Sequence, residues 1–260
     1  MDKDTKYFKI PIPLLNDLPN STIQDVLRNA VRFTLYEHSL QLEQGTIKKR
    51  YQQSASFYNV NVASQSFDVA QSLYNRIAAS SPPFAYITTD KLWQFVNEFK
   101  TPHEIACLCG FIAVKSILQR QDAALITSDF LLSRMSGFPN NVSRDQHNDF
   151  VKAFHTRWKL DKLKHELEQK WYVKMYGQGT RGFYVSIKLE LAELIEMVEK
   201  QKAENNSKRK KSSKKALLNS VKTGMRNHEL TSTIPAPYQH HNSTIPTPSP
   251  APYQHHDQHL

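Results

Sequence analysis

With 260 residues, 39% of them hydrophobic, and a formal charge of +10, the chain is long enough for one or two folded domains. It contains nothing near the run of about 18 apolar residues that a membrane span needs. Two cysteines, Cys107 and Cys109, are too few for a disulfide framework. As C-x-C within one helical turn their thiols point apart, and no second pair completes a zinc site. Buried free thiols in a reducing compartment are expected.

The charge is unevenly spread. Residues 1–200 carry 25 Lys/Arg against 21 Asp/Glu, whereas residues 201–260 carry nine against three. Within the first 200, the surplus is gathered between Lys152 and Arg181. Eight basic residues (Lys152, Arg157, Lys159, Lys162, Lys164, Lys170, Lys174, Arg181) stand there against Asp161, Glu166 and Glu168. A basic segment on an otherwise balanced domain is the electrostatic footprint expected of a phosphate-binding face.

In chain order, Tyr7–Leu15 is apolar and extended, and Pro11 and Pro13 argue against a central strand. Asn20 or Ser21 is positioned to cap a helix running to about Gln44, ended by Gly45, with Lys48-Lys49-Arg50 read as a solvated cluster. A second helix falls within Asn59–Ala79, broken by Ser80-Ser81-Pro82-Pro83. A short apolar run, Phe84–Ile87, precedes a brief helix capped at Thr89 or Asp90. Residues 1–100 thus read as an α-rich region.

Thr101-Pro102-His103-Glu104 spells a capping box with proline at N1. The helix behind it is apolar over more than half its circumference. Ala123–Ile126 suits one short strand. Thr127 or Ser128 caps a short helix that ends at Gly137, with Pro139 beyond it. The spacer from Phe138 to His155 is polar, with a helix predicted from Ser143 if Phe150, Val151 and Phe154 share a face.

Thr156–Lys170 places Leu160, Leu163 and Leu167 on one stripe, leaving Arg157, Lys159 and Lys162 on other faces. Trp171–Tyr176 and Phe183–Ile187 read as strands joined by Gly177–Gly182, hence a β-hairpin. That joint spells G-x-G-x-x-G, but a dinucleotide site needs a helix directly after the glycines, and Phe-Tyr-Val-Ser-Ile prefers strand. Glu190–Lys200 is an acidic amphipathic helix, with Leu191, Leu194, Ile195 and Val198 on the face that either closes the domain or pairs with a second copy.

From Gln201 the composition changes. The basic run through Lys215 has no apolar support and reads as unstructured, adding non-specific affinity for nucleic acid. Ser232–His241 then recurs within Ser243–His256 as a Pro/His repeat that cannot build a core. Neither a nucleophile–base pair, metal-ligand spacing nor a paired-carboxylate motif is evident, so neither an enzyme nor a bound cofactor is expected.

The order of helix, short strand, helix, basic helix and glycine-tipped hairpin over Thr101–Leu189 resembles the winged helix-turn-helix DNA-binding superfamily. The likeness is greatest to the winged helices of phage and plasmid replication proteins and mobile-element regulators. With residues 1–100 read as α-rich and the tail from 201 as disordered, the resemblance implies a winged-helix domain over 101–200 between them, and so an α+β, mostly α fold. It implies duplex DNA as partner, with Thr156, Arg157, Lys159, Lys162 and Lys174 facing it and Gln178, Thr180 and Arg181 at the wing tip. The free thiols and lack of a membrane span point to the cytoplasm, and the acidic helix leaves a homodimer as one arrangement. By the likeness the protein would be nucleoid-associated and act in replication initiation or its regulation. A transcriptional regulator, or an interaction module that binds no DNA, are the alternatives.

Overall fold

The computed structural model describes residues 5–63, 66–177 and 182–231, with side chains to residue 223. It is an α+β chain, mostly α, in two compact units, Met1–Lys202 and Ala203–Leu260. The boundary expected at residue 100 does not separate units. One hydrophobic core runs from Phe8 to Val185, because elements on both sides of that point share apolar faces.

In the first hundred residues, β1 (Tyr7–Pro11) pairs antiparallel with β2 (Phe84–Thr88), from Tyr7 opposite Thr88 to Pro11 opposite Phe84. This ribbon has only two strands, so both are edges, where proline's missing N–H is tolerated. Helix α1 (Ile23–Gln41) packs on it. Its cap is Thr22, in a box with Asp25, rather than Asn20 or Ser21. The chain re-forms a helix after Gly45 as α2 (Ile47–Phe57). The Lys48–Arg50 cluster therefore sits on a helix whose Tyr51 and Ala55 are buried. Helices α3 (Ser66–Ala78) and α4 (Thr89–Asn97) complete this layer.

Helix α5 (Pro102–Leu118) starts at the expected capping box. Glu104 N–H donates to Thr101 Oγ1, and Thr101 N–H donates to Glu104 Oε2 at 2.9 Å. It is the spine of the unit, with Cys109, Ala113 and Val114 fully buried. Strand β3 (Ala124–Ile126) and helix α6 (Ser128–Met135) follow. Gly137 lies just beyond α6 at φ +91°, and a Cβ there would sit 2.6 Å from the Asn16 backbone nitrogen. Both the left-handed backbone and the close approach require glycine.

The spacer is packed rather than loose. A 3-10 turn over Arg144–Gln146 leads to the short α7 (Asp149–Lys152), and Val151 and Phe154 enter the core. Helix α8 (Arg157–Trp171) buries Leu160, Leu163 and Leu167. Leu167 meets α5 where Gly110 leaves room, since a Cβ there would be 3.0 Å from Leu167 Cδ1. The helix extends one residue further than expected. Trp171 belongs to it and packs its ring, tilted, against Phe111 and Phe95, and Tyr172 ends it in the left-handed region at φ +56°.

The hairpin strands are accordingly shorter, β4 (Lys174–Tyr176) and β5 (Phe183–Ser186). Strand β5 is central in the order β3-β5-β4, antiparallel to both, with Ala124 opposite Val185 and Tyr176 opposite Tyr184. Helix α9 (Leu191–Thr231) buries Leu194 and Val198 within the first unit. Leu191, on the same face, stays 46% exposed. The basic run at Lys208–Lys215, expected to lack structure, is helical and exposed throughout. The Pro/His repeat lies outside the described residues.

Candidate nucleic-acid interface

Three leucines fix which way α8 faces. With Leu160, Leu163 and Leu167 inward, a 3.6-residue repeat turns positions 157, 158, 161, 162, 165 and 169 toward solvent. Trp158 is 71% exposed and the Arg157 side chain 96%. Lys159 and Lys162 are exposed, and among the described residues neither pairs with a carboxylate. Thr156, the N-cap, is exposed and makes no side-chain capping bond.

The expected contact residues point outward but do not share one flank. Arg157 and Lys159 are two positions apart, hence about 160° apart around the helix. Arg157 turns toward the hairpin, beside Ser128, Asp161, Lys164 and Glu168, in a cleft of about 830 Å³. Lys159 and Lys162 border a smaller hollow on the other side, with His103, Phe154 and Trp158. Lys162 Nζ lies 5.8 Å from the Trp158 ring centroid. Lys174 differs from these, because its ammonium is 3.1 Å from Glu190 and only 28% of the side chain is exposed. It clamps the hairpin to the residue just before α9, so its charge is already matched. Gln178, Thr180 and Arg181 lie outside the described residues.

The hairpin-side cleft contains residues that the sequence did not single out as contacts. Lys164 donates to Ser128 Oγ at 2.9 Å, with its ammonium 4.2 Å from the Phe183 ring centroid. Burial lowers its pKa. It joins α8 to the start of α6 and to β5. Burial raises the Glu168 pKa, and Asp161 lies 3.6 Å from the Arg157 guanidinium. The cleft is therefore balanced in charge rather than uniformly positive. Its outline was available in the sequence, because positions 157, 161, 164, 165 and 168 recur at three- and four-residue steps. Gly182 shapes its edge: at φ +107°, an added Cβ would come within 2.4 Å of the Ile126 carbonyl oxygen.

The spacer sets where α8 begins. Buried His147 lies 3.0 Å from Ser133 Oγ through Nε2 and 2.9 Å from His155 Nε2 through Nδ1. Val142 N–H donates to the same Ser133 hydroxyl at 3.1 Å. His155 directly precedes Thr156, so this chain of hydrogen bonds ties the start of the helix to α6. Burial lowers the pKa of both imidazoles, and at His147 the neighbouring His155 ring disfavours protonation further.

No helix among the described residues is long and apolar enough to cross a membrane. No family model, curated protein or solved structure matches the chain.

Proposed function

We propose that the protein binds duplex DNA with the exposed half of α8, the hairpin β4–β5 lying alongside. The observation that carries this reading is a helix pinned by three buried leucines whose open half bears cations on both flanks. A major groove is about 12 Å wide, so Arg157 and Lys159, directed to opposite sides, suit phosphates on opposite walls. Trp158, Asp161, Lys162 and His165 then lie between them, toward base edges. The element order α5, β3, α6, α7, α8, β4, β5, with β3 paired to β5, supports the winged-helix reading of this region, the short α7 being an insertion between its two helices. Thr127 and Ser128 at the start of α6 supply hydroxyls and helix-terminal amides suited to a flanking phosphate. A role in replication initiation or its regulation on a mobile element rests on the resemblance alone.

The test is a fluorescence-anisotropy titration of the full chain with random-sequence duplexes, followed by selection of bound duplexes. With about five phosphates neutralised, log affinity should fall against log salt with a slope near −4 to −5. Absence of binding at about 50 mM salt would sink the reading. The charge-balanced cleft and the exposed indole of Trp158 favour a second reading, a docking surface for a protein. Trp158→Ala then abolishes capture of one stable protein partner while the chain binds no duplex.

A further inference from the structure

The two sides of the α5–α8 contact bring together three side chains, one of which, Glu166, is also paired with Lys170 on its own helix at 3.3 Å. His103 and Cys107 are four residues apart on α5, so they share a face. Glu166 comes from α8, 59 residues further along the chain from Cys107. Cys107 Sγ is 3.7 Å from Glu166 Oε2, and His103 Nε2 is 3.4 Å from Glu166 Oε1. One ligand atom from each lies within 4.8 Å of the others. His103 Nε2 is buried yet makes no hydrogen bond among the described residues. A buried ring nitrogen left unsatisfied next to a carboxylate and a thiol is an open coordination position.

We propose that His103, Cys107 and Glu166 form a binding site for a zinc-class divalent transition-metal ion that staples α8 to α5. In tetrahedral zinc the bonds to N and O are about 2.0–2.2 Å and the bond to S about 2.3 Å, which places ligand atoms roughly 3.3–3.7 Å apart. The imidazole and the thiol approach different oxygens of the Glu166 carboxylate, at 3.4 and 3.7 Å. With one atom taken from each residue all three lie within 4.8 Å, so a shift of about 1 Å through rotamer adjustment brings them to tetrahedral spacing. One sulfur, one imidazole and one carboxylate favour zinc over magnesium or calcium, which take oxygen ligands only. Three protein ligands leave a fourth position for water. Binding replaces the thiol proton with the ion: the S–H bond breaks, a sulfur–metal bond forms, and the proton leaves to solvent. Without the ion, Cys107 donates to Glu166 and is held protonated, its pKa pushed up to about 12 by burial and the adjacent carboxylate. The site stands independently of the DNA reading.

The test uses the full chain, stripped with a chelator under a thiol-free reductant and titrated with cobalt(II). The expected result is one equivalent bound with a near-ultraviolet thiolate-to-cobalt charge-transfer band, displaced by zinc(II). The band disappears in Cys107→Ser and survives in Cys109→Ser. His103→Ala and Glu166→Gln each weaken cobalt binding at least tenfold. Cobalt bound without that band, as on histidines elsewhere in the chain, overturns the proposal, and so does a band that depends on Cys109. Because Cys107→Ser removes a buried group, a second measurement keeps wild-type protein as its subject. Zinc(II) should slow alkylation of Cys107 in mild denaturant severalfold, and an unchanged rate overturns the site.

Discussion

Two stretches of this chain are densely basic, and they differ in what surrounds the charge. Helix α8 rests on three buried leucines, so each of its cations has a fixed direction. The run Lys208–Lys215 lies on a helical stretch of α9 whose described side chains are exposed, with Leu217, Leu218 and Val221 open as well. The first arrangement can discriminate, because recognition of base edges needs donors held at defined positions. The second can only concentrate positive charge, which attracts any polyanion. Anchoring, more than charge density, separates a reading surface from a sticky one.

Removing the anchor puts this difference under the greatest strain. Leu163 is fully buried, and Leu163→Ala should cost about 2–5 kcal/mol of stability, measured by urea unfolding. The same variant should lose sequence preference for DNA before it loses affinity for any duplex, since the unanchored charges remain. Reversing Arg157 and Lys162 together to glutamate should lower duplex affinity on the order of 100-fold at about 0.1 M salt and reduce the salt slope by about 2. Neutralising Lys208, Arg209, Lys210 and Lys211 to glutamine should cost roughly tenfold, equally on selected and random duplexes. A larger loss on the selected duplex would show that the tail reads sequence, and the two basic stretches would no longer differ in kind.

The smallest effect concerns the start of the anchored helix. Burial holds the native pKa of His147 and His155 below the ordinary value of 6.5. Between the native and unfolded values the unfolded chain binds more protons, so stability rises with pH. The contribution is therefore complete above 6.5 and is lost as pH falls from 6.5 through the depressed native values. Thermal unfolding midpoints should drop more steeply from about pH 7 to about pH 5 in the wild type than in a variant with His147→Gln and His155→Gln. Equal slopes would show that this pair does not set the pH dependence.

Parts of the candidate interface are legible in the sequence alone. The cap at Thr101, the stop at Gly137, the leucine stripe of α8 and the hairpin all follow from interactions within a few residues. Capping, helical period and the left-handed freedom of glycine are local, so sequence carries them. The reading failed where a local signal was ambiguous or absent. Lys48 and Lys49 are exposed as expected, but the helix that carries them was missed, because the burial of Tyr51 and Ala55 depends on α1 and α3. The run after Gln201 looked structureless because its helix has no apolar stripe.

What the sequence determined by itself is a short basic helix with a leucine spine, set between a glycine-ended helix and a β-hairpin. Only the tertiary structure decided how its charges are used. It placed Arg157 beside the hairpin, matched Lys174 to Glu190, seated Lys164 against Phe183, and brought Glu166 to His103 and Cys107. These outcomes depend on which elements pack side by side. Coulombic and coordination contacts act over a few ångströms in space, whatever the distance along the chain, and no periodicity or motif reports such neighbours.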